Sequence, residues 1–557
     1  MKSRKFFVFI TAIVALAMLL SACAQATPAA TAEPTAAPAA TEEPTVAPVE
    51  PTAAPEHPLW SKELREAIAA AIDREVIVDR VFEGRNTPAY SMVPSDYPYA
   101  TEPFLDKYGT RDLELAKKLL TDLGYTADKP FNFELWYPPE HYGTTTADVM
   151  QVIKEQLEET GLIKVDLKSQ NWAEYVDSFV AGKLPAFILG WFPDFVDPDN
   201  WLTPFASCLQ SPDNGVNYCN PAMDELLTKA ATTPDGPDRE ALYKQIGELY
   251  ADEVPTLPLF WEPEFITYRN GVEGIKISSA FEFNYYPLSF TADAKPASGK
   301  TDTIIIGTTD EVNSLDAQDA YATHDWEIIK NTGMPLLTYE PGTTNLIPAA
   351  AADLPKVSED GLTYTFTLKD GLKFADGTPV TSADYLRAWQ RIGLEGQVSG
   401  LVQNYVKDVT APDAKTVVYT LKNSYGFFPA LAATAPFVVT NPAEFPTDKI
   451  VAFPEKIDGI GPYRMVSHTP GEQLVLEANP NYIGEAPKIK NVIIRYYADP
   501  ATLANAVEKG EIDIAWRTVG PVEAVRLQSV AGLTVETVNA PALRYLVFND
   551  TFMVGSK

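Results

Sequence analysis

The segment that most limits the fold is a low-complexity tract near the amino terminus. Residues 24–55 consist almost wholly of Ala, Pro, Thr, Glu and Val, without an aromatic residue or an apolar period. Such a tract cannot bury enough apolar surface to offset its ordering entropy, so we assign 23–56 to a disordered, proline-stiffened linker. The folded body must therefore be built from residue 57 onward. The 557-residue chain is 46% hydrophobic, which is sufficient for a large core.

An export signal precedes this linker. Three basic residues among the first five are followed by an apolar run from Phe6 to Leu20 and by the sequence Leu-Ser-Ala-Cys ending at Cys23. The pattern predicts a signal peptide over 1–22. A cysteine after small residues resembles a bacterial lipobox, which implies lipidation of Cys23 and a protein held outside the cytoplasm at the cell membrane, in the periplasm or on the cell surface. The alternatives are an ordinary signal peptide and a single membrane anchor.

Charge and cysteine content narrow the partners further. The net charge of -31 argues against nucleic acid and against charge-driven adhesion to an anionic membrane, so the lipid is the only membrane contact that we expect.

Cys208 and Cys219 lie close together in a turn-rich stretch. In an oxidising compartment such a pair is expected to form a disulfide, the alternative being two free thiols.

The apolar patterns of the body predict helices that alternate with strands. Ser61 is expected to cap a helix whose apolar face runs from Leu64 to Val76, and Asp499 a helix that ends near Gly510. The predicted strands include 163–168, 186–191, 303–307, 363–368 and 416–421. Alternation of this kind is typical of an α/β sheet architecture.

Four motifs together carry a resemblance to a known family. They are Ala-Ile-Asp-Arg-Glu at 71–75, Asp-Gly-Thr-Pro at 376–379, Gly-Ile-Gly-Pro-Tyr at 459–463 and Gly-Glu-Ile-Asp-Ile at 510–514. The chain resembles the extracellular solute-binding proteins of peptide-type ABC importers, the oligopeptide- and dipeptide-binding family. The resemblance implies an α/β, periplasmic-binding-protein-like type II fold with two lobes, an extra subdomain and a hinged cleft. It also implies binding without catalysis, an ABC permease as partner, and neither cofactor nor metal.

The order of these motifs is reversed relative to the family, so the sequence resembles a circularly permuted member. The family's ends would be joined through a surface linker at 292–301. We expect a ligand-binding lobe at 57–254, the other lobe at 255–345 and 453–557, and the extra subdomain at 346–452. The alternatives are a fusion of two incomplete proteins and a gene-assembly error. We expect a monomer, although a domain-swapped dimer stays open because the halves could pair between chains.

The candidate binding segment follows the predicted strand at 186–191. In peptide-binding relatives an aspartate at the position of Asp194 pairs with the ligand's α-ammonium, and a carboxylate in a closed cleft does so strongly. Gly190 and Trp191 precede it, and Trp191 offers a flat apolar wall. Asp197 and Asp199 are expected to shape the turn and cap the next helix, and the same chemistry is the alternative to ligand contact for Asp194.

One departure limits the ligand. Dipeptide binders carry an arginine for the ligand's carboxylate shortly after a Glu-Leu-Trp strand, whereas this chain continues from Trp136 to His141 and Tyr142 without one. His141 and Tyr142 are candidates for the cleft or are loop residues at its rim. Asn313, in a loop that borders the cleft in the family, is a further candidate, although turn chemistry also explains it. The solute is therefore peptide-like or an oligosaccharide.

Two other functions remain open at this point. A secreted hydrolase acting on saccharides or peptides would need paired carboxylates or a nucleophile, but the sequence singles out no such pair and contains no Gly-x-Ser-x-Gly. The four histidines are scattered without His-x-x-x-His spacing, which argues against zinc. A chemoreceptor-type binding module would use the same fold without transport.

Overall fold

A computed structural model describes residues 57–139, 141–143, 145–277, 283–517 and 519–554. The predicted signal peptide, Cys23 and the linker 23–56 lie outside the described residues. Within the described ranges, none of the helices combines the length and the apolar character that crossing a membrane requires.

Most of the strands are short, but two are long. In chain order they are β1 His57–Pro58, β2 Thr87–Pro88, β3 Phe131–Tyr137, β4 Ile163–Ser169, β5 Ala186–Trp191, β6 Thr256–Arg269, β7 Val272–Glu273, β8 Ser289–Phe290, β9 Thr303–Thr308, β10 Leu337–Tyr339, β11 Leu346–Pro348, β12 Lys356–Val357, β13 Thr363–Thr367, β14 Val406–Asp413, β15 Thr416–Leu421, β16 Tyr463–Thr469, β17 Gln473–Ala478, β18 Asn491–Tyr496, β19 Ile514–Trp516, β20 Leu533–Phe548 and β21 Met553–Val554.

The helices lie between these strands and pack on their faces. In chain order they are α1 Lys62–Ala71, α2 Arg74–Phe82, α3 Pro103–Tyr108, α4 Leu113–Asp122, α5 Thr146–Glu158, α6 Trp172–Val180, α7 Asp199–Ala206, α8 Pro221–Thr232, α9 Pro237–Glu253, α10 Thr323–Thr332, α11 Ser382–Ile392, α12 Ser399–Gln403, α13 Phe428–Leu431, α14 Pro500–Lys509 and α15 Pro521–Gln528.

One mixed sheet runs through both halves of the chain. Its strand order is β16-β17-β18-β9-β19-β6-β20-β5-β3-β4, with β2 paired to β6. The pairs β18–β9, β9–β19, β3–β4 and β3–β5 are parallel, whereas β6 and β20 are antiparallel. Parallel strands joined through helices are the α/β architecture that the alternating sequence pattern predicts.

The long strands β6 and β20 connect two separate cores. Leu257 and Leu543 lie in a core formed mainly by residues 60–260. Ile266 and Val538 lie in a second core together with β9 and β18. The pairing of β20 with β6 loses its register between Val538 and Ala542, at the point where the strands pass from one core to the other. We infer that this interruption is the hinge, and we propose that 256–261 and 542–554 belong to the first lobe.

A third core lies mainly in residues 334–439, which overlap the extra subdomain predicted at 346–452. Strands β12, β13, β15 and β14 form a sheet in that order, and its apolar residues pack with α11 and with residues 427–439. Phe195, from the loop after β5, is buried in the same core. The candidate binding loop therefore contacts the subdomain as well as its own lobe.

Local capping explains where the structure departs from the sequence prediction. Ser61 caps α1 through its Oγ, which accepts a hydrogen bond from the Leu64 N–H at 3.3 Å. The helix ends at Ala71, because Asp73 caps α2 by accepting from the Val76 N–H at 3.0 Å. The prediction of one helix through Val76 was wrong, since an aspartate favours the N-cap over a helix interior.

The disulfide prediction is confirmed. Cys208 and Cys219 are bonded, with their Cα atoms 4.3 Å apart. The bridge closes the loop between α7 and α8, directly after the helix that follows the candidate binding loop. It thereby ties this region of the first lobe together.

Candidate functional site

The described residues form a cavity with a volume of about 440 Å³. It lies where the loop after β5 meets α10, the subdomain and the segment before β8. Its lining includes Asp194, Tyr286, Trp326, Lys330, Tyr339 and Lys369. A concave, largely apolar cavity with a few charged groups is the usual form of a small-molecule site.

Asp194 is held in a fixed orientation at this cavity. Its backbone N–H donates to Oδ1 of Asn200 at 2.9 Å, and Nδ2 of Asn200 donates back to its Oδ2 at 2.9 Å. The Tyr321 hydroxyl donates to the same Oδ2 at 3.3 Å. Burial raises the pKa of Asp194 to about 6, although these two side-chain hydrogen bonds counteract part of the shift. A carboxylate held in this way is prepared to accept hydrogen bonds from a ligand cation.

Asp197 and Asp199 stabilise the turn, as predicted. Oδ1 of Asp197 accepts the Asp199 N–H at 2.9 Å and a hydrogen bond from Nη2 of Arg239 at 2.9 Å. Oδ1 of Asp199 accepts from Oγ1 of Thr203 at 2.7 Å. Breaking a buried ion pair such as Asp197–Arg239 is strongly destabilising. This pair therefore anchors the turn that carries Asp194.

The loop that carries Asp194 also contacts residues outside the first lobe. The ring of Phe195 stacks on Phe427 with centroids 5.2 Å apart. The Val196 N–H donates to the Tyr339 hydroxyl at 3.1 Å. Together with the hydrogen bond between Tyr321 and Asp194, these contacts connect the loop after β5 with residues outside the first lobe.

Four of the predicted site residues form a second cluster beside β20. The Gly190 N–H donates to the Tyr142 hydroxyl at 2.9 Å, and the guanidinium of Arg544 lies 4.5 Å from the centre of the Tyr142 ring. A Cβ on Gly190 would lie 2.7 Å from Nη1 of Arg544, so a larger residue here would displace the end of this arginine side chain. Trp191 packs edge-on against Phe205, and His141 stacks on Trp172 with centroids 3.5 Å apart.

Arg544 places a cation next to Tyr142, where the sequence lacks the arginine found in dipeptide binders. Its Nη2 lies 2.6 Å from Oε2 of Glu262 in the hinge strand β6. The carboxylate of Glu262 therefore balances the charge of Arg544.

Asn313 lies elsewhere. Its backbone N–H donates to Oδ1 of Asp325 at 2.7 Å, and its side-chain amide lies 3.0 Å from Nε2 of His324. These contacts match the turn chemistry considered from the sequence. Of the six predicted ligand-binding residues, Asp194 belongs to the described lining of the cavity and the other five do not. Their roles stay predictions.

Two lysines in the cavity lining, Lys330 and Lys369, were not predicted from the sequence. Lys330 lies on α10 and Lys369 lies two residues after the end of β13, both far from Asp194 in sequence. A lysine on an amphipathic helix or after a strand is ordinarily read as solvent-exposed, so no sequence signal identified either.

Across the described ranges, His, Cys, Asp and Glu side chains form no group of three that could hold a metal ion.

The comparison with protein families is decisive. The model described as "Bacterial extracellular solute-binding proteins, family 5 Middle" matches residues 28–213 and 345–553. The chain belongs to this family. The match confirms the resemblance drawn from the four motifs, together with the type II periplasmic-binding fold that it implies.

Curated relatives of this solute-binding protein are named for peptide binding. This chain is 33% identical over 224 residues to the probable D,D-dipeptide-binding periplasmic protein DdpA of Escherichia coli. The aligned part covers 38% of this chain and 43% of DdpA. This chain is also 30% identical over 202 residues to the periplasmic oligopeptide-binding protein OppA of Salmonella typhimurium, with 36% of each chain covered. The chain thus spans less than half the length of these relatives.

Solved structures similar to the solute-binding protein include the Escherichia coli murein tripeptide binding protein MppA. That similarity has 25% identity and a TM-score of 0.36, and it covers 38% of this chain and 45% of MppA. The substrate-binding protein CtaP of Listeria monocytogenes has 27% identity and a TM-score of 0.33, with coverages of 38% and 43%.

Proposed function

We propose that the protein captures a peptide-like solute between its two lobes and delivers it to an ABC importer. It would do so as an extracytoplasmic monomer anchored through lipid on Cys23. Ligand binding would favour the closed arrangement through its higher affinity for that state. The family of extracellular solute-binding proteins and the export signal both support this role.

The observation that carries the proposal is the position of Asp194. Its carboxylate lines a cavity between the lobes and is held there by Asn200 and Tyr321. A peptide presents an α-ammonium that matches such a carboxylate, whereas a neutral oligosaccharide does not. The relatives' names, which specify dipeptides and oligopeptides, support the peptide over the saccharide.

We also propose that the chain is a circular permutation of the family's order. Two features support this. Strand β1 pairs with β21, with His57 opposite Val554 and Pro58 opposite Met553, so these two segments, which are far apart in sequence, lie side by side. The linker 292–301 makes turns on the surface, and its Ala297 N–H donates to Asp513 at 2.7 Å. A short connection there joins the halves without disturbing the sheet.

Native mass spectrometry of the purified protein tests the proposed function. We expect one small solute per chain, retained under gentle ionisation and released unchanged on denaturation. Added dipeptides should displace it, and added oligosaccharides should not. Chemical conversion of the added peptide would instead indicate a hydrolase, and the absence of any peptide binding would overturn the proposal.

Peptide affinity should fall as the pH is lowered through about 6. The ligand's ammonium favours the ionised form of Asp194, whose pKa burial raises to about 6. Below this value the carboxyl is protonated in the free protein, so the affinity should decrease by about tenfold per pH unit. Titration calorimetry with Ala-Gln between pH 4.5 and 7.5 measures this. In the Asp194→Asn variant the affinity should be low and nearly independent of pH, and an unchanged slope in that variant would assign the titration to another group.

A further inference from the structure

Arg74, the first residue of α2, is a cation buried completely inside the first lobe. Its Nε donates a hydrogen bond to the Pro258 carbonyl of β6 at 2.8 Å. Its Nη1 and Nη2 are also buried, but they have no hydrogen-bond partner among the described residues. The carboxylate of the neighbouring Asp73 accepts from the Val76 N–H instead, as the cap of α2. Two of the three nitrogens of this guanidinium therefore lack an acceptor.

Two aromatic rings lie next to the guanidinium. Cζ of Arg74 is 5.1 Å from the centre of the Tyr90 ring and 5.5 Å from that of Phe104. The hydroxyl of Tyr90 is buried too, and within the described part of the chain it has no hydrogen-bond partner. Burial raises the pKa of Tyr90 to about 12, so this hydroxyl keeps its proton at neutral pH. Two side chains in contact thus present buried donors that share the same need for an acceptor.

The guanidinium keeps its charge in this environment. Burial lowers the pKa of Arg74 to about 10, which still leaves the side chain protonated at neutral pH. The faces of Tyr90 and Phe104 stabilise a cation, but they compensate only part of the cost of removing it from water. A water molecule would bring no charge and two further donors to a cluster of donors. A small anion would accept the hydrogen bonds and neutralise the cation.

We propose that Arg74 and Tyr90 bind a small monovalent anion, chloride, inside the first lobe. The ion accepts hydrogen bonds from Nη1 and Nη2 of Arg74, and the Tyr90 hydroxyl is its third donor. A monatomic ion suits a place where Arg74 and Phe104 are both without solvent exposure. Because Nε of Arg74 donates to β6, the ion stabilises the contact of α2 with this long strand. Arg74, Tyr90 and Phe104 do not belong to the described lining of the cavity that contains Asp194, so this site is separate from the solute site.

Bromide tests the site directly, because it resembles chloride in charge and size and is located by its anomalous scattering. Crystals of the unmodified protein grown with sodium bromide in place of chloride should give an anomalous peak within hydrogen-bonding distance of Nη1 and Nη2 of Arg74. An ordered water at this place without anomalous signal would overturn the proposal. Bromide bound only at the protein surface would overturn it as well.

Thermal unfolding at constant ionic strength tests the same site in solution. When gluconate is replaced by chloride, the melting temperature should rise by about 1 °C for each tenfold increase in chloride above its dissociation constant. Arg74→Met should lose this dependence, whereas Arg80→Met, at an exposed arginine of the same helix, should keep it. A melting temperature that is independent of chloride in the unmodified protein, or equally dependent on it in Arg74→Met, would contradict the proposal. If Arg74→Met does not fold, the bromide experiment on the unmodified protein decides.

Discussion

Replacing Asp194 by Asn is expected to weaken the binding of a free dipeptide by about 100-fold, or about 2.7 kcal/mol. The substitution keeps the size of the side chain and its hydrogen bond with Asn200 but removes the negative charge. A hydrogen bond between a carboxylate and an ammonium is roughly twice as strong as a neutral one. Titration calorimetry with Ala-Glu measures the loss.

Modification of the ligand provides the matching half of this comparison. N-acetyl-Ala-Glu has no ammonium, so the unmodified protein should bind it about as weakly as Asp194→Asn binds the free peptide. The variant should hardly distinguish the two ligands. Asp213→Asn, an exposed carboxylate in the same lobe, is the control and should bind like the unmodified protein. Full affinity of Asp194→Asn for the free peptide would remove Asp194 from the site.

Separating the two halves of the chain should abolish binding, and recombining them should restore it. The break falls in the linker 292–301, between Gly299 and Lys300, where the backbone forms an exposed turn. Strand β6 lies in the first fragment and β20 in the second, and they pair from Arg269 with Leu533 to Thr256 with Val547. In either fragment alone, the backbone N–H and C=O groups of the long strand have lost the partner strand, and such unpaired edges favour aggregation.

A protease site introduced at this turn gives the corresponding experiment on the intact fold. The cleaved protein should elute as one particle, melt in a single transition and bind Ala-Glu with unchanged affinity. Fragments produced separately should not bind, whereas fragments refolded together should. Two independent melting transitions after cleavage would show that the halves do not form one unit.

The sequence predicted the elements whose signals are local. The buried strand 186–191 coincides with β5, and Asp499 caps α14 just before Pro500, as the capping pattern indicated. The failure at Ile72 and Asp73 is also local, because an apolar period continued across a residue whose side chain favours a helix start. The family's motifs identified the fold, since each couples a turn to a neighbouring strand or helix.

The candidate site was predictable only on one wall. Asp194 follows a buried strand in a segment that carries a recognisable pattern, and the structure places it at the cavity. Trp191, three residues earlier, belongs to β5 and packs against Phe205 instead. Lys330 and Lys369 line the same cavity but come from α10 and from the segment after β13, so their place there depends on how the two lobes and the subdomain pack together. Spacing along a chain holds no information on that packing.

The most direct test is a crystal structure of the protein grown with Ala-Glu. We expect one peptide in the cavity between the lobes, with its ammonium nitrogen about 2.7–3.0 Å from a carboxylate oxygen of Asp194. A peptide bound at full occupancy outside this cavity, with Asp194 uninvolved, would contradict this expectation.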